Sequence, residues 1–240
     1  MKILNKLVRA PILMWCLIGL AGCVGLEPGY KSKITKGSYV VQKGDTLYSI
    51  AFRYGIDYKS LAKINGIRPP YTIYLDQKLS LKNVSFAPLS DSGPNSDASL
   101  KKAGKKKTKL LKKPRKASVD WSWPLRGKVL NKFSLSQPMN KGIDIAGEKG
   151  SSVFAAADGN VVYAGGNLRG YGKLVILKHD GDYLSAYGNN EVILVKEGDA
   201  VSKGSVISKV GRSASGEELL HFEIRRDGKP INPLRFLPKR

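Results

Sequence analysis

Histidine and cysteine are the scarce residues of this chain, with two of each among 240. Two cysteines cannot build a disulfide-stapled scaffold, and no C-x-x-C pair offers a thiolate zinc site. Acid is short as well: 19 Asp and Glu stand against 41 Lys and Arg, a formal charge of +22. Long apolar runs are also lacking. The run from Ile12 to Leu20 has nine residues, where a helix needs about 20 to cross about 30 Å of hydrocarbon. With 42% hydrophobic and 25% charged residues, the chain can still bury a core, as one large domain or two small ones. Taken alone, the charge suits a nucleic-acid binder. Its placement argues otherwise.

Lys2, Lys6 and Arg9 form a positive segment without an acid; the apolar run follows, and Leu20-Ala-Gly-Cys23 closes it. This is the pattern of an export signal over 1–22. Leu-Ala-Gly-Cys resembles a bacterial lipobox, whose cysteine is acylated and becomes the new N-terminus. The resemblance makes Cys23 the lipidation site; an ordinary signal peptide with an incidental cysteine is the other reading. Two or three acyl chains anchor firmly where one is marginal. Val24, rather than Asp, follows the cysteine, which by the sorting rule of lipoproteins implies the outer membrane, facing the periplasm. DNA is not the partner expected there.

Beyond a tether over 23–38, the charge is concentrated. Ten Lys and Arg and no acid lie between Lys101 and Lys116, after a stretch rich in Ser, Pro and Gly. Such a segment cannot bury enough surface to offset chain entropy, so 82–120 is expected to be a disordered basic linker. Muropeptide carboxylates or anionic headgroups suit it as weak contacts; a solvated spacer that binds nothing suits it equally. The segments on either side carry the fold.

Tyr39 to Lys43 reads as a short strand ending at Gly44. Asp45 or Thr46 then caps a helix with Leu47, Ile50, Ala51 and Tyr54 at helical spacing. Asp57 caps a second helix that ends at Asn65-Gly66, Pro69-Pro70 stops it, and Gln77 to Leu81 alternates as a closing strand. Val40-Val-Gln-Lys-Gly-Asp-Thr-Leu-Tyr-Ser-Ile50, Leu61-Ala-Lys-Ile-Asn65 and Gln77-Lys-Leu79 make 39–81 resemble a LysM domain of βααβ form. Asp76 stands where the family usually has Gly, a mild departure because Asp tolerates positive φ. The resemblance implies binding of N-acetylglucosamine-containing glycans, hence peptidoglycan, in a shallow groove. Its residues here are Gly44, Asp45, Thr46, Leu47, Asn65, Gly66 and Ile67. Gly44, Asp45 and Thr46 serve equally as turn and cap.

From Trp121 onward, short β-type runs recur: Lys128–Phe133, Gly142–Ala146, Asn160–Ala164, Lys173–His179, Tyr183–Tyr187, Glu191–Val195, Val206–Val210 and Leu219–Arg225. No sustained helical spacing interrupts them, so 121–240 is expected to be an all-β barrel or sandwich. Lys141-Gly-Ile-Asp-Ile-Ala146, Gly170-Tyr-Gly-Lys-Leu-Val-Ile176, Leu220-His-Phe-Glu-Ile-Arg225 and Asn232-Pro-Leu234 resemble the LytM or lysostaphin-type zinc endopeptidases. Active members hold zinc on the His and Asp of H-x-G-x-D and the second His of H-x-H. Two further histidines handle substrate and water. Here Asn140 replaces the first ligand, while Asp144 and His221 are kept. Asn189 and Leu219 replace the two catalytic histidines. Two ligands and a neutral amide make a poor zinc site, and nothing remains to move protons. No metal or cofactor and no hydrolase activity are expected.

Alternation in the last strand turns Leu220, Phe222 and Ile224 to the core and Leu219, His221, Glu223 and Arg225 to the old cleft. With Asn140, Asp144 and Asn189 these form a candidate partner-binding surface; a cleft filled by its own side chains is the other reading. Lipobox, LysM module, basic linker and degenerate LytM domain, in that order, resemble the NlpD-like murein hydrolase activators. That resemblance implies a non-catalytic lipoprotein that binds peptidoglycan and activates a periplasmic N-acetylmuramoyl-L-alanine amidase for daughter-cell separation. A wall-binding tether without activation and a zinc endopeptidase with altered ligands are the competing functions.

Overall fold

The computed structural model describes residues 37–82 and 119–240. The signal peptide, Cys23, nearly all of the tether and nearly all of the basic linker lie outside the described residues.

The small module is β1 (Ser38–Val40), α1 (Leu47–Tyr54), α2 (Tyr58–Ile64) and β2 (Lys78–Ser80), with the strands antiparallel and Tyr39 opposite Leu79. Thr46 is the cap of α1, in a capping box with Ser49, and Gly55 ends the helix at φ 64°. Asp45 instead ties the loop together, its carboxylate accepting from the Gln42 N–H, the Tyr39 hydroxyl and the Arg53 guanidinium. Asp57 caps α2 as expected. Asp76 adopts φ 63°, the conformation that explains why Gly is usual at this position. Tyr39, Leu47, Ile50, Leu61 and Leu79 form the core.

The large module is built of antiparallel strands: β3 (Val129–Asn131), β4 (Ile143–Ala146), β5 (Ser152–Phe154), β6 (Gly159–Gly165), β7 (Lys173–Lys178), β8 (Tyr183–Ile193), β9 (Ala200–Val201), β10 (Val206–Val210), β11 (Leu219–Arg226) and β12 (Lys229–Ile231). The main path runs β3-β4-β11-β8-β7-β6-β9, and β10 bridges β5 and β8. The two runs expected over 183–187 and 191–195 are one strand, β8. Asn189 takes φ 61° within it, so the chain turns without leaving the ladder. The strands β5, β9 and β12 have two or three residues each, too short for alternation to reveal them in the sequence.

One face of the sheet closes over Ile143, Ile145, Val175, Leu177, Tyr187, Leu220, Phe222 and Ile224. The opposite face is apolar too, since Leu174, Ile176, Leu184 and Ala186 are also buried. Strand β7 accordingly reads Leu-Val-Ile-Leu, the unbroken run of a strand covered on both sides. Phe52 of α1 packs into this second cluster, together with Tyr163 and Leu168 of the large module. No helix among the described residues is long and apolar enough to cross a membrane.

Candidate functional site

Strands β4 and β11 bring together Asp144 and His221, the two positions that the LytM resemblance implies as zinc ligands. His221 lies directly opposite Asp144 in the ladder, and Gly188 of β8 flanks His221 on the other side. His221 Nδ1 is 2.7 Å from Asp144 Oδ1, and Nε2 is 3.2 Å from Glu223 Oε1. The amides of Asn131 and Asn140 donate to the other oxygen of Asp144, at 3.1 and 3.2 Å. Asn140 Oδ1 accepts from the Gly142 N–H, which fixes the amide's orientation.

Behind this layer lies a second one. Glu223 Oε2 accepts from Arg225 Nε at 2.7 Å, and Glu223 Oε1 accepts from the Tyr171 hydroxyl at 2.8 Å. Carboxylate, imidazole, carboxylate and guanidinium thus alternate from Asp144 through His221 and Glu223 to Arg225. Burial disfavours charge on His221, but its hydrogen bonds to Asp144 and Glu223 outweigh that and raise its pKa to about 9. Burial likewise opposes ionisation of Glu223, yet Arg225 and His221 pull its pKa down to about 2. Burial opposes the charge on Arg225 too, and Glu223 overcomes it.

This donor set does not fit zinc. A protonated imidazole donates from both nitrogens and has no lone pair to give, and the oxygens of Asp144 are engaged by three donors. The imidazolium itself supplies the positive charge between two carboxylates. No group of three or more His, Cys, Asp or Glu among the described residues could hold a metal ion. His179, the other histidine, lies inside the sheet between the Asp158 carbonyl and Ser185 Oγ, 2.7 Å from each, and burial lowers its pKa.

The expected partner surface needs a correction. Leu219, His221, Glu223 and Arg225 do share one face of β11, but three of the four are covered. Leu219 is 3% exposed, Glu223 0% and Arg225 1%, so only Asn140, Asp144, Asn189 and His221 are even partly open. Alternation gives the side a residue faces, and it cannot tell that another module lies against that side. The exposed apolar groups are Leu130 and Met139 instead, each one residue along the chain from an amide that holds Asp144.

The predicted groove residues of the small module are divided in role. Asn65 is structural: its amide bonds the Leu61 and Ser80 carbonyls and accepts from the Ser80 N–H. Gly66 and Ile67 form the turn that follows it, and Leu47 is buried in the core. Asp45, Thr46 and Leu47 line a cavity of about 420 Å³ whose other side is Tyr48, Pro70, Tyr71 and Ile73. Tyr48, Tyr58 and Tyr71 cluster beside it, with ring centroids 4.5 to 6.0 Å apart. Sequence reading missed this aromatic wall, although three tyrosines near the two loops were a signal. Asn160, Val162 and Glu197 of the large module complete the cavity. A larger cavity, about 970 Å³ between Trp123, Leu125 and Glu148, contains none of the predicted residues.

Comparison with known proteins gives two domain matches: "LysM domain" over residues 39–82 and "Peptidase family M23" over 138–233. The chain is 41% identical to a lipoprotein NlpD/LppB homolog of Pseudomonas aeruginosa, over 88% of this chain and 80% of that one. It is 36% identical to the murein hydrolase activator NlpD of Escherichia coli, over 88% and 70%. It is 38% identical to the uncharacterized lipoprotein YgeR of Escherichia coli, over 95% and 92%.

Proposed function

The chain belongs to the NlpD/LppB lipoprotein family, with a LysM domain and an M23 peptidase domain, and from that membership we propose that it is a non-catalytic activator of peptidoglycan amidases. The carrying observation is the state of the old metal centre. Asn140, a neutral amide at the position the resemblance gives to the first zinc ligand, donates to Asp144 and accepts from the Gly142 N–H, a donor set that supports the non-catalytic reading. The small module binds glycan strands at its aromatic-walled cavity and places the protein on the wall. The large module presents Asn140, Asp144, Asn189 and His221, with Leu130 and Met139 beside them, to a periplasmic N-acetylmuramoyl-L-alanine amidase. A partner that prefers the open form of an autoinhibited amidase raises its activity by shifting that equilibrium, without taking part in the chemistry. Acylated Cys23 holds the protein on the outer membrane.

The test adds the purified mature chain to an autoinhibited amidase and follows release of dye from labelled sacculi. Stimulation is expected. If no cognate amidase is stimulated, the chain is a tether. Chelator-sensitive cleavage of cross-linked peptides by the chain alone would instead return it to the hydrolases.

A further inference from the structure

Phe52 is on the wrong side of its own helix. Leu47, Ile50 and Ala51 of α1 enter the small module's core, whereas Phe52 is not part of that core and yet is only 2% exposed. The outer face of the large module buries it: Tyr163, Leu168, Leu174, Ile176, Leu184 and Ala186. Polar contacts surround this plug. Thr46 Oγ1 donates to the Val162 carbonyl at 3.1 Å, Asn167 Nδ2 to the Lys43 carbonyl at 3.2 Å, and Lys59 pairs with Asp182. Gly228 lies so close that a Cβ there would overlap the Ile56 carbonyl carbon. A glycine with positive φ is what lets the two backbones approach.

At the centre of the contact is Arg225. Its guanidinium carbon stands 3.4 Å from the Phe52 ring centroid, its Nη1 donates to the Phe52 carbonyl at 2.7 Å, and its Nη2 to the Tyr171 hydroxyl at 3.2 Å. A guanidinium is tolerated at 1% exposure only when its donors and its charge are met, and the helix meets one donor and covers the flat face. Withdrawing α1 would open Arg225 to water, leave one of its donors to the solvent and weaken the constraint that holds it against Glu223. Glu223 in turn anchors Nε2 of His221.

We propose that Phe52 is a positioning residue for the degenerate cleft: acting through Arg225 and Glu223, it fixes the imidazole of His221, so that docking of the glycan-binding module sets the shape of the surface presented to the amidase. The link is a contiguous series of hydrogen bonds between two modules, the kind of network that carries coupling when one element has a docked and an undocked arrangement. It rests on the activator reading only in its last clause. The same helix begins at Thr46, on the wall of the glycan cavity, so a ligand there touches the element that holds Arg225.

Two histidines make the test clean. In the mature chain carrying Cys23→Ser and labelled with ¹⁵N-histidine, the rings give two sets of signals. Phe52→Ala and Arg225→Lys are each expected to shift the His221 ring nitrogens and leave those of His179 in place. Lys59→Ala, which removes an exposed ion pair from the same interface, is expected to move neither. The far-ultraviolet circular dichroism of Phe52→Ala should equal that of wild type, showing that the small module remains folded. His221 signals unmoved in Phe52→Ala would overturn the proposal. Amidase stimulation should fall roughly tenfold in Phe52→Ala, and undiminished stimulation would overturn the last clause. Wild-type chain that stimulates nothing would remove the activator reading and leave the ring signals to decide the coupling.

Discussion

Arg225 is bound by both the side chain and the main chain of Phe52: the ring covers its guanidinium, and the carbonyl of the same residue accepts one of its protons. One residue of the small module thereby closes over a charge of the large one. Glu223, fully buried beneath it, provides the compensating charge.

Removing that compensation should be costly. Glu223→Gln leaves a buried guanidinium without its carboxylate and is expected to lower stability by about 3–5 kcal/mol. Replacing both members, Glu223→Gln with Arg225→Met, should cost less than the single change. Urea unfolding of wild type, the two single variants and the double variant decides this, and additive losses would show that the pair is not coupled.

Stability should depend on pH through two groups. His221 has a folded pKa of about 9 against an ordinary 6.5, so its contribution is complete below 6.5 and is lost as pH rises through 9. Glu223 has a folded pKa of about 2 against 4.5, so its contribution is present above 4.5 and is lost as pH falls through 2. Between 4.5 and 6.5 both are at full strength. In His221→Asn the decline of the melting temperature above 6.5 should be flatter than in wild type. Parallel curves would contradict the assignment of charge to His221.

A chelator should leave the melting temperature where it is. A bound ligand at a hundred times its Kd stabilises a fold by about 2.7 kcal/mol, a shift easily seen. Neither EDTA nor excess zinc is expected to produce one. Stoichiometric zinc in the purified protein, together with a drop in melting temperature on chelation, would show that the centre holds metal after all.

In the small module, stability and binding should separate. Asp57→Ala removes the α2 cap, away from the glycan cavity, and is expected to cost about 1 kcal/mol. Thr72→Asp, at an exposed position on the wall of the glycan cavity, should weaken binding of N-acetylglucosamine oligomers far more than it affects unfolding. Calorimetry alongside a thermal melt distinguishes the two, and unaltered affinity in Thr72→Asp would place the sugar elsewhere.

Much of the architecture was legible because it is local. Caps at Thr46 and Asp57, the glycine at the end of α1 and the period-two alternation of β11 each follow from a few neighbouring residues. Docking was not, because it depends on pairs more than a hundred residues apart, such as Phe52 with Arg225 and Thr46 with Val162. Two signs of it were present in the sequence: a phenylalanine on the polar side of an eight-residue helix, and four consecutive apolar residues, Leu174 to Leu177, in one strand. Either sign alone fits an ordinary core.

The twice-covered strand β7 bears on how this protein is taken apart. A fragment beginning at Trp121 would lose the Phe52 ring that packs with Leu174, Ile176 and Leu184, uncovering apolar surface that invites clumping or spurious capture of other proteins. Excising the sugar-reading half therefore does more than subtract sugar reading: it injures the half that remains. A genetic deletion of either piece mixes two lesions, and point changes at Phe52 are the cleaner instrument.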